Sequence, residues 1–569
     1  MVDALNPALL VCAALVALGI LTSLFSLRFG APLLLVFLAL GLAAGEDGIG
    51  GIRFDDAHLA FAICSIALAV VLFDSGFETR WLSYRVAARP ALVLATIGVL
   101  VTTAVFATAA RWILGFEWPH ALLLGAMVSS TDAAAVFFLL RVGGAVVRDR
   151  VRSTLEIESG TNDPMAIFLT TALLALVQAK GELGGWHVAV EFLREMGLGA
   201  LLGAAGGWAI AALLRRLPLE RALVPLLALS LALCLFAATN MLGGSGYLAV
   251  YLAGLVVGNS RITEGVALRR FQGAFTWLGQ IVMFITLGLF ATPREFLSVL
   301  GESLALAAVL MLVARPLAAA LCLLPFGFSR DETLLTGWVG LRGAVSLLLA
   351  ILPLLAGIEH ARTMFNVTFV IVFASLLLQG WTLVPVARRL RQVVPARSGP
   401  VERNALDMPG LDGHELVCYR IAEHSPIAAG ATLPRWSRPS LVVRRGESMR
   451  IREAGPLQPG DLVYLIVKDD RIALLDRIFA ATRQPEKSDR EFFGDFALAP
   501  DVTLSDIAAS YGVSVPLRDA GLTVAEALSR EFDAAPTVGD RLRIGAVELI
   551  VRDVDVGGRV AEVGLALKP

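Results

Sequence analysis

The stretch LLLGAMVSSTDAAAVFFLLR, residues 122–141, places an aspartate in the middle of an apolar run. Asp132 has apolar residues on both sides and no basic residue next to it. An ionised group at the centre of a membrane helix costs about 2.5 kcal/mol or more, so such groups mark functional sites. Ser, Thr and Asp also favour a helix N-cap, which would make Asp132 an internal cap at a helix break. The two interpretations are compatible, because broken helices in transporters present backbone groups to ions at mid-membrane.

The apolar character of this stretch extends to about residue 390. Of the 569 residues, 57% are hydrophobic and 17% are charged, against about 25% charged in soluble globular proteins. An all-α polytopic membrane domain is therefore expected, and a soluble enzyme is excluded. Thirteen apolar segments predict its membrane helices: 6–26, 31–48, 57–76, 90–114, 119–141, 153–179, 190–214, 219–242, 246–259, 271–291, 297–325, 332–356 and 363–387. The second and the ninth are short and glycine-rich, so they are either half-helices or tightly packed spans.

The distribution of charge predicts the orientation of the chain in the membrane. Basic residues are about three times as frequent in the loops on the side of the C-terminal tail as in the opposite loops. The positive-inside rule then places the N-terminus in the periplasm and the tail in the cytoplasm. The net charge of −1 gives no indication of nucleic-acid binding. The five cysteines are scattered without paired spacing, which argues against disulfides and a zinc site.

A second polar cluster, ESGTNDP, occupies residues 158–164. One interpretation makes Asp163 the N-cap and Pro164 the first residue of a helix, with loop before it. That helix would have about 16 residues, which is short for a bilayer. The alternative is a continuous helix in which Glu158 lies above Asn162 and Ser159 above Asp163, since each pair is four residues apart. The second interpretation gathers two carboxylates, a hydroxyl and an amide on one side of a helix.

A third cluster, GLRGAVSLLLA at residues 340–350, carries a basic group inside an apolar segment. Arg342 either pairs with a buried acid or lies near a helix end and extends to the interface. Arg315 in VARPLAAA is a similar but weaker candidate. Asp74 and Glu78 in VVLFDSGFETR are either solvated charges at a helix end or part of an ion funnel.

These three motifs, in this order and spacing, resemble the NhaP-like monovalent cation/proton antiporters over residues 1–390, and VVLFDSGFET fits the same family. The resemblance implies an NhaA-like fold of about thirteen helices with inverted repeats, assembled as a homodimer. It also implies roles for individual residues. Thr131 and Asp132 would lie where an unwound helix crosses another and contribute to cation binding. Asp163 would bind the cation and the proton.

The resemblance implies roles for three further residues. Ser159 matches a cation ligand. Asn162, in front of the aspartate, is typical of electroneutral members that exchange one cation for one proton. Glu158 and Arg342 match a buried polar pair that holds Asn162 and the unwound segment.

The tail has the composition of soluble α+β modules. Linkers are predicted at 391–411 and 480–493. Residues 412–479 resemble the C-terminal module of potassium-conductance regulators (TrkA-C-like), and residues 494–569 resemble the CorC/HlyC-associated transporter module. Strands are predicted at 415–422, 439–444, 461–468, 541–552 and 559–567, with helices near 503–512 and 523–532. No glycine-rich dinucleotide fingerprint precedes the first module, so NAD binding is not expected and no cofactor is predicted, while a nucleotide or other small ligand on the tail is left open.

The arrangement of membrane domain and tail resembles bacterial potassium/proton antiporters of the CvrA/NhaP-two type. The expected function is secondary exchange of cytoplasmic K⁺, or alternatively Na⁺, for external H⁺ across the inner membrane, in contact with lipid and regulated by the tail. Its expected role is in potassium, pH and cell-volume homeostasis. A tail-gated cation channel is the alternative from another class.

Overall fold

The computed structural model divides into two compact units, residues 1–392 and 393–569. It describes the chain except for residues 1, 30–31, 80, 180–184, 218, 221, 261–264, 395–402, 408–413, 435, 469–470, 482–491, 514–518, 533–535, 555–558 and 568–569. The first unit is helical apart from short extended pieces, and the second contains the four-stranded and the five-stranded sheet.

The helices of the first unit follow the predicted apolar segments. Their bounds are α1 Val2–Phe29, α2 Leu33–Ala44, α3 Ala57–Glu78, α4 Trp81–Val93, α5 Val99–Leu114, α6 Trp118–Met127, α7 Ala133–Val142, α8 Asp149–Gln178, α9 Gly185–Arg216, α10 Leu223–Met241, α11 Gly246–Gly258, α12 Gly265–Phe290, α13 Pro293–Phe296, α14 Leu300–Val309, α15 Arg315–Leu323, α16 Arg330–Trp338, α17 Ala344–Leu355 and α18 Ala361–Arg389. A π-helical turn joins α4 to α5, and another joins α14 to α15.

Within the described residues, eight helical stretches are long and apolar enough to cross a membrane. Shorter apolar helices occupy the remaining predicted segments. The second and ninth segments form continuous short helices, α2 and α11, rather than half-helices. At 1.5 Å per residue the 13-residue α11 is about 20 Å long, less than the apolar thickness of a bilayer. Neighbouring helices α3 and α9 cover it along its length.

Two predicted segments are interrupted. The segment 119–141 divides into α6 and α7 around residues 128–132, and the segment 332–356 divides into α16 and α17 around residues 339–343. At the first break the Asp132 side chain caps α7 by accepting a hydrogen bond from the backbone of Ala135. Asp132 is therefore the internal cap that its sequence context predicts.

Helix α8 is continuous through the polar cluster. It begins at Asp149 and contains Pro164 in its interior, so the interpretation of Asp163 as the start of a helix is wrong. A helix of 30 residues spans the bilayer, which the short alternative would not. The two carboxylates, the hydroxyl and the amide of the cluster consequently lie on consecutive turns.

Small residues allow α11 to approach its neighbours closely. On α9, Gly199, Gly203 and Gly207 face the backbone of α11, and a Cβ at Gly203 would lie 2.7 Å from the backbone of Ala249. Such close backbone contact replaces the hydrophobic effect as the source of helix association within lipid. Helix α11 is therefore held in place by its close packing against α3 and α9.

The first tail module is a five-stranded antiparallel sheet in the order β3-β4-β7-β5-β6. The short strands β1 Val146–Val147 and β2 Val393–Val394 precede it in the chain, and its own elements are β3 Arg403–Asp407, β4 His414–Arg420, β5 Arg438–Arg444, β6 Glu447–Met449, α19 Ile451–Ala454, β7 Leu462–Lys468 and α20 Ile472–Phe479. Strand β3 pairs with β4, so the linker predicted over 391–411 is wrong at residues 403–407. Residues 395–402 and 408–411 of that linker lie outside the described residues.

The second tail module is a four-stranded antiparallel sheet in the order β8-β11-β10-β9, covered by two helices. Its elements are β8 Phe496–Leu498, α21 Leu504–Tyr511, α22 Val524–Glu531, β9 Arg541–Ile544, β10 Val547–Val554 and β11 Val560–Leu567. The single strand predicted over 541–552 is a hairpin, because Gly545 turns the chain with a φ of +61°. Most of the linker predicted at 480–493 lies outside the described residues.

Candidate functional site

The two helix breaks meet inside the membrane unit. The backbone N–H of Asp132 in the first break donates to the carbonyl oxygen of Leu341 in the second, at 2.9 Å. Arg342 also links the breaks, because its Nη1 lies 2.6 Å from the carbonyl oxygens of both Ser129 and Ser130. These carbonyls follow the end of α6 and have lost their helical partners, so the guanidinium replaces the missing donors. The crossing is a polar centre enclosed by apolar helices.

Asp163 reaches this crossing from α8. Its side chain is buried, with 6% of the residue exposed. The hydroxyl of Ser130 donates a hydrogen bond to Asp163 Oδ1. Glu158, on the same helix, approaches the same break, since its Oε1 lies 3.4 Å from Thr131 Oγ1. Three acids predicted from two of the motifs are thus brought together.

Asp132 lies at the first break with its two carboxylate oxygens in different surroundings. Oδ1 accepts from the Ala135 backbone at 3.0 Å. Oδ2 lies against Gly343, where there is no room for a side chain, since a Cβ would overlap it. The glycine beside Arg342 therefore allows the second break to approach Asp132 closely.

Two smaller polar side chains of α8 bind the unwound segment at Thr131. Asn162 Nδ2 donates to Thr131 Oγ1 at 2.6 Å. Ser159 Oγ donates to the Thr131 carbonyl and accepts from the Ala133 backbone, both at 3.0 Å. Within the described residues, the buried Oδ1 of Asn162 has no hydrogen-bond partner. Ser159 thus fixes the backbone of the unwound segment, and Asn162 binds the side chain of Thr131.

Glu158 pairs with Arg315 and not with Arg342. Arg315 Nη1 and Nη2 lie 2.7 and 2.8 Å from the two carboxylate oxygens, and both residues are almost fully buried. The predicted pairing of Glu158 with Arg342 is therefore corrected. Arg342 is held instead by the two backbone carbonyls of Ser129 and Ser130, both bonded to its Nη1. Arg315 was the weaker candidate in the sequence because its position in a helix was uncertain.

Ser130 is a site residue that sequence analysis did not single out. Ser130 lies within the quoted stretch 122–141, and its partner Asp163 belongs to another helix. Spacing along the chain could therefore not predict this contact. Ser375 and Gln379 were also missed. Their signal was available, since both are polar residues inside the apolar segment 363–387.

A cavity of about 170 Å³ lies beside the crossing, in the part of the membrane unit that contains Asp74. Asp74 is buried and its Oδ2 accepts from Thr276 at 2.7 Å, while Glu78 lines the same cavity. Phe138 and Trp277 contact each other edge to face in its wall. Since Ala134 and Ala135 of α7 also line the cavity, it reaches the helix that Asp132 caps. This placement favours the ion funnel over a solvated helix end for Asp74.

The chemistry of the centre is that of a hard-cation and proton site. Carboxylate, hydroxyl, amide and carbonyl oxygens converge, and these are the ligands that a cation without soft-ligand preference takes. Groups of three or more His, Cys, Asp or Glu side chains suited to a resident metal ion are absent from the described residues.

Comparison with known proteins gives two family matches. The profile described as sodium/hydrogen exchanger, transmembrane, matches residues 13–389. The profile described as transporter associated domain matches residues 489–569, which overlaps the predicted CorC/HlyC-associated module.

Curated relatives match the chain from end to end. The K⁺/H⁺ antiporter NhaP of Alkalimonas amylolytica is 41% identical over 569 residues, covering 99% of each chain. The K⁺/H⁺ antiporter NhaP2 of Shewanella oneidensis is 39% identical, again over 99% of each chain. The Na⁺/H⁺ antiporter ApNhaP of Aphanothece halophytica is 28% identical over 66% of this chain and 73% of its own.

Among solved structures, the sodium proton antiporter MjNhaP1 of Methanocaldococcus jannaschii has a TM-score of 0.60 at 22% identity, covering 68% of this chain and 99% of that one. The likeness shows a shared fold for the membrane unit, as the resemblance of the motifs implied.

Proposed function

This chain belongs to the sodium/hydrogen exchanger family, and we propose that it exchanges cytoplasmic potassium ions for external protons across the inner membrane. The curated relatives that match it over 99% of its length are named K⁺/H⁺ antiporters. The relative named as a Na⁺/H⁺ antiporter is less similar and covers a smaller part of the chain. Potassium is therefore favoured over sodium. The protein is a secondary transporter and not an enzyme.

The observation that carries the mechanism is the burial of Asp163 at the crossing of two broken helices. A buried carboxylate without a counter-charge is costly, so the centre is stable when Asp163 carries either a proton or a cation. Binding of one excludes the other, because both neutralise the same group. If the carrier switches between its inward-open and outward-open states only when the charge of Asp163 is neutralised, the cation and proton fluxes are coupled.

Charge counting supports exchange of one cation for one proton. The carboxylate of Glu158 is already neutralised by Arg315. Asn162, next to Asp163, contributes an uncharged oxygen where an acid would have added a second titrating group. Asp163 then changes its bound charge from H⁺ to K⁺ in each cycle without net charge movement. We propose Asp132, Thr131 and Ser159 as the residues that complete and shape the cation site, with Asn162 and Arg342 holding the breaks.

The orientation, assembly and tail complete the proposal. The positive-inside bias supports a periplasmic N-terminus and a cytoplasmic tail. We propose a homodimer, as the resemblance of the membrane domain implies. The first tail module, within 412–479, is proposed as a TrkA-C-like regulatory module that acts together with the transporter-associated module on transport rate.

The test is ion exchange in everted membrane vesicles that hold a proton gradient. Adding K⁺ is expected to dissipate the gradient, with Rb⁺, Na⁺ and Li⁺ compared at equal concentrations. Equal or greater activity with Na⁺ alone would overturn the potassium assignment and leave the family membership intact.

A tail-gated channel is separated from an antiporter by electrical measurement. In proteoliposomes clamped at zero potential, electroneutral exchange moves H⁺ and K⁺ without current. A current that follows the K⁺ gradient in the absence of a pH gradient would support the channel.

A further inference from the structure

The second helix break is held by side chains of α18. Interrupting a helix at residues 339–343 removes the intrahelical hydrogen bonds of the backbone around it. Gln379 Nε2 donates to the Trp338 carbonyl at 2.7 Å, and the Arg342 N–H donates to Ser375 Oγ at 3.0 Å. The Ser375 hydroxyl donates to Gln379 Oε1 at 2.5 Å, so the two side chains form one relay. Both are buried, with 0% and 1% of the residue exposed.

The first break is held in a parallel way. The broken pair α6 and α7 is followed in the chain by α8, whose Ser159 and Asn162 bind the backbone and side chain of Thr131 and the backbone of Ala133. The broken pair α16 and α17 is followed by α18, whose Ser375 and Gln379 bind the backbone at both ends of the second break. Each break is thus fixed by a hydroxyl and an amide from the helix that follows the broken pair.

The Ser375–Gln379 relay reaches Asp163 through contacts already described. It anchors the backbone of Arg342, whose guanidinium binds the Ser130 carbonyl. The hydroxyl of the same serine donates to Asp163. In addition, the Leu341 carbonyl, inside the anchored segment, accepts from Asp132. A shift of the second break therefore moves ligands on the first.

We propose that Ser375 and Gln379 are positioning residues of the cation site, which set the second break and thereby the placement of Ser130, Asp132 and Asp163. They act through Arg342 and Leu341 and do not touch the cation. The proposal rests on the antiport function proposed above. It adds a determinant of cation affinity that consists of two neutral residues bound to the second break. The relay depends on complete pairing, because each buried polar atom left without a partner is costly.

The experiment measures K⁺/H⁺ exchange by full-length variants in everted vesicles over a range of K⁺ concentrations. Gln379→Met has nearly the same volume and removes both hydrogen bonds of the amide. Ser375→Ala breaks the relay at its other member. The matched control is Thr382→Val, one turn further along α18, which removes a hydrogen bond to the indole of Trp338 but none to the break backbone.

Gln379→Met and Ser375→Ala are each expected to raise the K⁺ concentration for half-maximal exchange about tenfold, the effect of losing one to two buried hydrogen bonds. The maximal rate should change less than the half-maximal concentration. The double variant should be no worse than the more impaired single one, because both break one relay. Thr382→Val should match the wild type.

Normal half-maximal K⁺ concentrations in both single variants would overturn the proposal, as would a loss confined to maximal rate. Should Gln379→Met fail to accumulate in the membrane, Ser375→Ala decides the question by the same two outcomes, since it removes a single oxygen atom. Failure of the antiport assignment itself is recognised separately, because the wild type would then show no K⁺-dependent dissipation of the proton gradient.

Discussion

At the scale of single residues, the three acids at the crossing differ in their partners. Glu158 has a bidentate partner in Arg315, and Asp132 is engaged as a helix cap. Asp163 has only a neutral hydroxyl donor, Ser130, among its described hydrogen bonds. From this difference in partners we propose that Asp163 is the carboxylate that exchanges its counter-charge.

Replacing Asp163 with Asn is expected to abolish exchange while leaving the fold intact. The amide oxygen can still accept from Ser130, but it neither binds a proton nor balances a cation. Dissipation of a proton gradient in everted vesicles measures the effect, with melting of the purified protein as the check on folding. Asp149→Asn, at the exposed start of the same helix, serves as the control and should exchange normally. Transport by Asp163→Asn at the wild-type rate would contradict the mechanism.

Replacing Arg315 with Met is expected to destabilise the membrane unit by about 3 to 5 kcal/mol, because the buried carboxylate of Glu158 loses its counter-charge. The double variant Glu158→Gln/Arg315→Met removes both charges and should recover part of the loss. Thermal melting in detergent compares the three proteins. A single variant that melts with the wild type would show that Glu158 is neutralised by other means.

At the scale of helices and strands, glycine-mediated helix packing and the residues of tight turns determine how the elements are arranged. Helix α11 is too short to span the bilayer by itself and depends on glycine contacts with its neighbours. In the tail, Gly545 divides one predicted strand into a hairpin, and the Pro-Gly-Asp turn before β7 brings Asp461 to Arg444. The packing of α11 and the two turns of the tail therefore each depend on a few residues that cannot be exchanged freely.

Gly203→Leu is expected to separate α9 from α11. A side chain there would meet the backbone of Ala249, which cannot move aside, and overpacking of this kind costs about 1 to 3 kcal/mol or more. Gly197→Leu on the same helix is the control, because the space around Gly197 is open. Size-exclusion profiles and melting in detergent report the result. Equal stability of the two variants would show that the contact is not close.

Asp461→Asn is expected to make the tail less stable by a few degrees at neutral pH and to have no effect in acid. Hydrogen bonds from Arg444 lower the pKa of Asp461 below its ordinary value. A carboxyl with a lowered pKa stabilises the folded state above its unfolded pKa, and this contribution is lost as the pH falls through the folded pKa. Melting of the tail unit, residues 393–569, between pH 3 and 8 should show the two curves converging at low pH. A constant difference across this range would contradict the assignment.

The sequence predicted the membrane helices and the residues of the first break well, because apolar segments and buried charges leave a strong local signal. Asp132 was found this way, whereas Asp163 also needed the spacing of its cluster and the resemblance to the family. The partner of Glu158 was not predicted correctly. Arg315 and Arg342 are both buried bases, and only the packing of α15 in the membrane unit decides which of the two pairs with Glu158. Ser375 and Gln379 were overlooked because neutral polar residues in apolar helices commonly bind their own backbone, and their contact with another segment is tertiary.

At the scale of the whole molecule, the chain joins a unit that carries the complete site to a tail that carries none of its residues. The proposed site residues lie between Ser129 and Gln379, within the first unit. The tail modules have separate hydrophobic cores. Transport and its regulation are therefore expected to be separable.

A protein that ends at residue 392 is expected to retain K⁺/H⁺ exchange with a half-maximal K⁺ concentration within about twofold of the full chain, since all site contacts remain. Its response to cytoplasmic conditions should be altered, which a comparison of exchange across cytoplasmic-side pH values in everted vesicles would measure. Complete inactivity of a truncated protein that is folded and inserted would show that the tail is part of the transport machinery.

The matching hydroxyl and amide pairs at the two breaks also have a consequence for the history of the molecule. If the two halves descend from one duplicated gene, the ancestor held each break with the same kind of pair, and the carboxylates were acquired later beside the first break. Ser159 and Asn162 now stand next to carboxylates, whereas Ser375 and Gln379 have none within their relay. Divergence after duplication would then have assigned ion binding to one half and left the other as its rigid support.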